Sequence, residues 1–214
     1  MRKGLMTGTR STSDDINAIG RTITIDEIAG LARRAEDLGY DTLWMANVFS
    51  LDAIMTLAIA ARESSRIEVG TNVTPTYPRH PTAMAQQAVT AAAACNNRFT
   101  LGIGLAHKIV IEGALGMSYD RPARHMAEYL EVLTPLLRGE VVNHDGESYH
   151  VHGLSAGAAV AEDVPLVIAA LGERMLKLAG QYTDGTTTWM VGLKTLEQHI
   201  IPTMGAAAEA AGRP

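Results

Sequence analysis

Apolar and polar positions follow one another along the chain in a repeating order: a short apolar run, a turn, an amphipathic stretch of helical period, then another apolar run. That order predicts βαβ units and a parallel sheet. Lys3–Met6 reads as the first strand, followed by a polar loop from Thr7 to Arg21. Thr24 and Glu27 have the spacing of a capping box, and Ile28, Leu31, Ala32, Ala35 and Leu38 share one face of the helix they open, with Gly39 placed to end it. Thr42–Ala46 is the second strand, and Ser50 is expected to cap a helix with Ile54, Leu57, Ala58 and Ala61 on its apolar face. Ile67–Asn72 is the third strand. Pro81 suits the first turn of a helix that runs to about Cys95, and Asn96-Asn97 tolerate the left-handed turn after it.

Phe99–Ile103 is the fourth strand, and Arg121-Pro122 open a long helix to Leu137, with Pro135 expected to kink its last turn. Between Glu140 and Val151 the pattern changes to short alternation around Asp145-Gly146, the signal of a hairpin with a two-residue turn. Val164–Ala170 and a helix over Glu173–Gln181 form a fifth unit; Gly185–Met190 and a helix over Thr195–Ala211 form a sixth. Six parallel units leave two sheet edges open, whereas a closed (β/α) barrel has eight strands. The pattern fits either an open doubly wound sheet or a barrel whose last two units are absent. The chain reads as a single domain with the 140–152 hairpin as an excursion.

Composition narrows the function classes. The 214 residues are 47% hydrophobic and 19% charged, a globular mixture. A net charge of -5 without a basic stripe argues against nucleic acid as a partner. No apolar run approaches the ~20 residues of a membrane span, and no signal-peptide pattern opens the chain, so a cytoplasmic location is expected. Cys95 is the sole cysteine, which excludes an internal disulfide and suits a small packing residue.

Three strand ends carry candidate chemistry. Gly102 and Gly104, in Leu101-Gly102-Ile103-Gly104-Leu105-Ala106-His107, would let backbone approach a ligand or simply make a tight turn; the third glycine of a dinucleotide fingerprint is missing. His107 lies just past that strand, where an imidazole could hold or deliver a proton. Asn72-Val73-Thr74-Pro75-Thr76 is polar where a strand end should be buried, so it reads either as a seat for a planar ring or as an Asn-and-Pro turn. Leu171-Gly172-Glu173-Arg174 opens a helix whose free N–H groups suit a phosphate, with Arg174 adding charge and Glu173 opposing it. His144, His150 and His152 do not read as a metal site, because strand alternation sends His144 to the face opposite the other two. Asp14-Asp15 reads as solvated loop.

Together these stretches carry a resemblance. Arg98-Phe99-Thr100-Leu101-Gly102-Ile103-Gly104, Tyr119-Asp120-Arg121-Pro122, Glu128-Tyr129-Leu130-Glu131-Val132-Leu133, Leu136-Leu137-Arg138-Gly139-Glu140, Ala169-Ala170-Leu171-Gly172 and Asp184-Gly185-Thr186 occur in the order seen in the luciferase-like monooxygenase superfamily. The chain is most similar to its actinobacterial coenzyme F420-dependent oxidoreductases. The resemblance implies a (β/α)₈ TIM barrel, seen here truncated after six units, with the hairpin inserted after the fourth. It also implies a homodimer, a small-molecule substrate, and hydride transfer to or from coenzyme F420; FMN in a monooxygenase, or a catalytically silent relative, are the alternatives. A non-prolyl cis peptide is implied at Asn72–Val73. The cofactor is assigned to Asn47, Asn72, Val73, Thr74, Gly104, Leu105, Ala106, Leu171, Gly172 and Arg174, the proton-transfer role to His107, and the substrate pocket to Trp189. Asn47-Val48 stands where the sugar-phosphate dehydrogenases have an Asp-His pair, which argues against that activity.

Overall fold

The computed structural model describes residues 2–8, 23–156 and 163–213. The polar loop with Asp14 and Asp15, and most of the stretch between Ser155 and Asp163, lie outside them. Nine strands are described: β1 (Gly4–Thr7), β2 (Thr42–Met45), β3 (Glu68–Thr71), β4 (Thr74–Pro75), β5 (Phe99–Gly104), β6 (Val142–Asp145), β7 (His150–Leu154), β8 (Leu166–Ala169) and β9 (Gly185–Thr187). The helices are α1 (Ile25–Asp37), α2 (Ala53–Arg62), α3 (Pro81–Ala94), α4 (Pro122–Leu137), α5 (Glu173–Tyr182), α6 (Leu193–Thr195) and α7 (Ile201–Ala210), with π-helical turns at Ile109–Ala114 and Leu196–Ile200.

The main sheet is parallel, in the order β1-β2-β3-β5-β8-β9, with β4 paired to β5. One face packs on the helices: Leu43, Met45, Val69, Leu101, Ile103 and Ile168 meet Ile28 and Ala32 of α1, Leu57 of α2, Met84 and Ala88 of α3, and Leu130 and Leu133 of α4. The other face is rich in glycine. A Cβ on Gly70 would strike the Trp44 indole, and one on Gly4 would press on Thr42 Oγ1, which accepts from Trp44 Nε1 at 3.0 Å. The two glycines thus leave room for one large side chain across three strands.

This glycine-rich face is concave. Asn72, just past β3, accepts a 2.9 Å hydrogen bond from Thr187 Oγ1 in β9, and its amide lies 4.0 Å from Met6 Sδ in β1. In a flat sheet β9 would stand about 14 Å from β3, three inter-strand spacings away, beyond any asparagine's reach. A curled sheet meets both edges at once, which selects the partial barrel over the open doubly wound sheet.

Local chemistry accounts for most boundaries. The Thr24–Glu27 capping box is present, Gly39 and both Asn96 and Asn97 take positive φ, and Pro81 and Pro122 occupy first turns. Several expectations are corrected. Leu38 caps α1 and is 65% exposed rather than packed. Asp52, not Ser50, caps α2, its Oδ1 accepting from Met55 N at 2.9 Å. The third strand breaks after Thr71 and resumes as β4, and the sixth ends at Thr187 rather than Met190. The hairpin turn is centred on Glu147 and Ser148 rather than on Asp145-Gly146, since Asp145 pairs with His150 and Gly146 N donates to the Tyr149 carbonyl at 2.9 Å; Gly146 is small because Glu128 and His144 occupy the space its Cβ would need. His144 faces Glu131 of α4 at 3.6 Å, while His150 and His152 lie on the exposed side, both within 3.2 Å of Asp145 Oδ1.

Glu36 ties α1 to the approach of β3. Its carboxylate accepts from the N–H groups of Ser65, Arg66 and Ile67 and from Ser65 Oγ. Burial alone would raise its pKa, but these donors outweigh it and lower the group to about 2. A depressed carboxylate stabilises the fold above its unfolded value and loses that contribution as pH falls through the folded one. Glu36→Ala is therefore expected to cost about 2–3 kcal/mol at pH 7, with the gap to the parent protein closing between pH 4.5 and 2 in urea unfolding.

Candidate active site

The mouth of the partial barrel lies at the carboxyl ends of the strands, where (β/α) barrels place their chemistry. Its floor is the β3–β4 junction. Thr71 Oγ1 donates to the Gly102 carbonyl at 2.7 Å and accepts from Gly102 N at 2.8 Å. The Asn72–Val73 peptide is cis, as the resemblance implied, and β4 then pairs Thr74 with Ile103 and Pro75 with Gly104. A Cβ on Gly102 would overlap the Thr71 carbonyl, and one on Gly104 would sit 2.6 Å from Val73 Cγ2. Both glycines therefore admit the neighbouring strand, a role their sequence context did not separate from ligand approach. Thr74 is fully buried, and its hydroxyl has no partner among the described residues.

Beside this floor is a cavity of about 360 Å³ built by three βα loops. Asn47, Val48, Phe49 and Asp52 come from the loop after β2, Pro75 from the end of β4, and Pro78 and Arg79 from the loop after it. Ala106, His107, Val110, Ile111 and Leu115 come from the loop and π-helical turn after β5. Asn47 Oδ1 accepts from Ala53 N at 2.9 Å, so this side chain anchors the start of α2 as well as facing the cavity. Arg79 Nη2 is ion-paired with Asp52 Oδ2. Ala106 takes a positive φ of 58°, and its carbonyl accepts from Tyr119 Oη at 3.2 Å. The His107 carbonyl accepts from Val110 N and Ile111 N, which leaves the exposed imidazole at the rim.

Beside the cavity a half-buried aromatic stack, with Tyr77 buried at its centre, stiffens the β4 loop. Tyr77 lies between His125, with ring centroids 4.1 Å apart, and Tyr119, at 5.3 Å. His125 Nε2 and Thr76 Oγ1 are 3.0 Å apart, and Thr76 N donates to the Gly104 carbonyl. Burial lowers the His125 pKa to about 4 against a weaker opposing pull from Glu128, so this imidazole is neutral at pH 7. Tyr129 Oη donates to the Arg79 carbonyl at 3.0 Å.

The far rim is separate. Gly172 caps α5 without a side-chain hydrogen bond, and the space over it is open. Glu173 turns along the helix to Lys177, 2.7 Å away, which with its charge holds the carboxyl below its usual range. This turn takes the negative charge toward Lys177, easing the objection to an anion site there. Arg174 is exposed; the Leu171 carbonyl is hydrogen bonded to His199 Nε2 at 3.1 Å. Trp189 is 68% exposed in the loop after β9 and does not line the cavity.

Of the positions singled out in the sequence, Asn47, Ala106 and His107 share the cavity; Asn72, Val73 and Gly104 form the floor beside it; Leu105 packs toward the core; Leu171, Gly172 and Arg174 form the far rim. The lining of the cavity includes no residue of the far rim. Arg79, Asp52 and the aromatic stack were missed. The only sequence signal for them was Arg79 standing just before the His80-Pro81 helix start, at the mouth end of a strand.

Comparison with known proteins agrees with this geometry. The family described as luciferase-like monooxygenase matches residues 1–214. The chain belongs to this family. Among curated relatives, it is 30% identical to 5,10-methylenetetrahydromethanopterin reductase of Methanolobus tindarius, covering 87% of this chain and 57% of that protein. It is 28% identical to the F420-dependent glucose-6-phosphate dehydrogenase of Kineococcus radiotolerans, covering 87% of this chain and 59% of that one. The chain thus spans less than two-thirds of either relative. The solved coenzyme F420 dependent tetrahydromethanopterin reductase of Methanopyrus kandleri superposes with a TM-score of 0.81 at 24% identity, covering 99% of this chain and 62% of that one. In this member of the luciferase-like family, Gly104→Ala should force Val73 aside and cost about 2 kcal/mol, or roughly 4–8 °C in Tm. Gly172→Ala, with open space at its Cβ, should stay within about 0.5 kcal/mol by calorimetry.

Proposed function

We propose that this chain is the cofactor-seating part of a coenzyme F420-dependent oxidoreductase acting on a small organic substrate. The observation that carries the reading is the β3–β4 junction, which holds Asn72 and Val73 on the concave floor under bonds from both sheet edges. The F420-dependent relatives support it. Bound there, the deazaflavin supplies hydride chemistry that no protein side chain offers.

The chain's own residues bind, orient and move a proton. Asn72, Val73 and the Gly104–Ala106 backbone would hold the ring. The backbone N–H groups at the start of α5, with Arg174, would take the phosphate of the tail. His107, at the rim of the cavity, holds or delivers a proton at its imidazole. Among the described residues β1 and β9 are the unpaired edges of the main sheet, which, with Met6 46% exposed, supports closure by two further βα units. The α2–α3 face, which exposes Met55 and Ile59, supports a homodimer. No helix among the described residues is long and apolar enough to cross a membrane.

Fluorescence titration tests the assignment. Coenzyme F420 should bind and FMN should not. Arg174→Glu should weaken F420 about tenfold by removing one charge contact and adding a repulsive one. His107→Ala should leave that affinity within about twofold and lower turnover by 100-fold or more. Tight FMN binding with none for F420 would reject the reading in favour of a flavin monooxygenase; binding of neither would favour a catalytically silent relative.

A further inference from the structure

The cavity beside the floor is chemically one-sided. Val48, Phe49, Pro75, Val110, Ile111 and Leu115 give it apolar walls. Its charged side chains are Arg79 and Asp52, and these are ion-paired to each other. Asp52 is in turn held by its capping bond to Met55 N. A pocket that recognises a phosphate or carboxylate needs a cation without a resident counter-ion, because moving an anion out of water is repaid only by new charge-assisted bonds. Here the one guanidinium in the wall already has its carboxylate at Nη2, and its Nη1, without a partner among the described residues, is buried out of a ligand's reach. An uncharged molecule meets no such penalty and gains from covering the apolar walls. Its volume of about 360 Å³ falls in the range for small organic ligands. Asn47 joins the cavity to the floor, its N–H donating to the Val73 carbonyl, and the imidazole of His107 stands at the rim.

We infer that this cavity is the substrate pocket and that it takes a largely apolar, uncharged molecule, with its polar group at the His107 end, and not a phosphorylated sugar or other anion. This rests on the mouth being the reaction site, and it adds the substrate class. The Arg79–Asp52 pair sets the specificity: it keeps the wall electrically neutral while bracing the β4 loop against α2.

A pair of near-isosteric probes reads the charge preference directly. 2-Acetylnaphthalene is neutral and 2-naphthoate is anionic. Both are titrated by calorimetry into the purified chain, with and without coenzyme F420, beside glucose 6-phosphate. The ketone is expected to bind at least tenfold more tightly than the carboxylate, with no binding of the sugar phosphate. Asp52→Asn keeps a helix-capping side chain but leaves Arg79 uncompensated, so the ranking should move toward naphthoate. Val48→Asp, at an exposed wall position, should weaken the ketone at least tenfold. Naphthoate or glucose 6-phosphate bound as tightly as the ketone, no binding of the ketone, or ketone binding indifferent to Val48→Asp would each overturn the inference. Because the probes are also measured without cofactor, ketone binding with failed F420 binding would sink the cofactor reading alone; F420 binding without ketone binding would sink this one alone.

Discussion

The two-way hydrogen bond between Thr71 and Gly102 is the contact on which the mouth depends. The threonine hydroxyl spends its proton on one backbone group of Gly102 and accepts from another, at 2.7 and 2.8 Å, in full burial. It locks β3 against β5 at the point where β3 stops being a regular strand. Everything beyond follows from that lock: Asn72 faces the concave side, Val73 fits over Gly104, and β4 resumes pairing one step on. Any side chain at residue 102 would collide with the Thr71 carbonyl, so the arrangement admits little variation.

From this anchored floor the loops divide the work. Those after β2, β4 and β5 enclose a space with apolar walls and an internally neutralised ion pair. The turn after β8 opens a ten-residue helix whose first backbone N–H groups have no capping side chain among the described residues. One region suits a neutral body, the other an anionic tail. The aromatic stack of Tyr119, Tyr77 and His125 stands beside the first and holds Thr76, which keeps β4 in register with Gly104.

Periodicity carried the unit order, and cap chemistry carried most helix starts, because both depend on residues close in sequence. The Thr24–Glu27 box and the Asn96-Asn97 turn are examples. What stayed hidden depended on distant partners. Nothing near Gly146 reveals that Glu128 crowds it, and nothing near Ser50 shows that Asp52 takes the cap while pairing with Arg79. The curl could not be read from six strand-like runs, since it rests on Asn72 reaching Thr187, 115 positions away. Of the candidate site, the floor was legible through the family resemblance, whereas the cavity wall at Arg79 and Asp52 was not.

A crystal structure with coenzyme F420 bound tests the central claim most directly. The account predicts the deazaflavin ring lying against the Asn72–Val73 peptide with its edge on the Ala106 backbone, and the phosphate at the first N–H groups of α5. A ring seated away from the β3–β4 junction, or a phosphate held elsewhere, would contradict it.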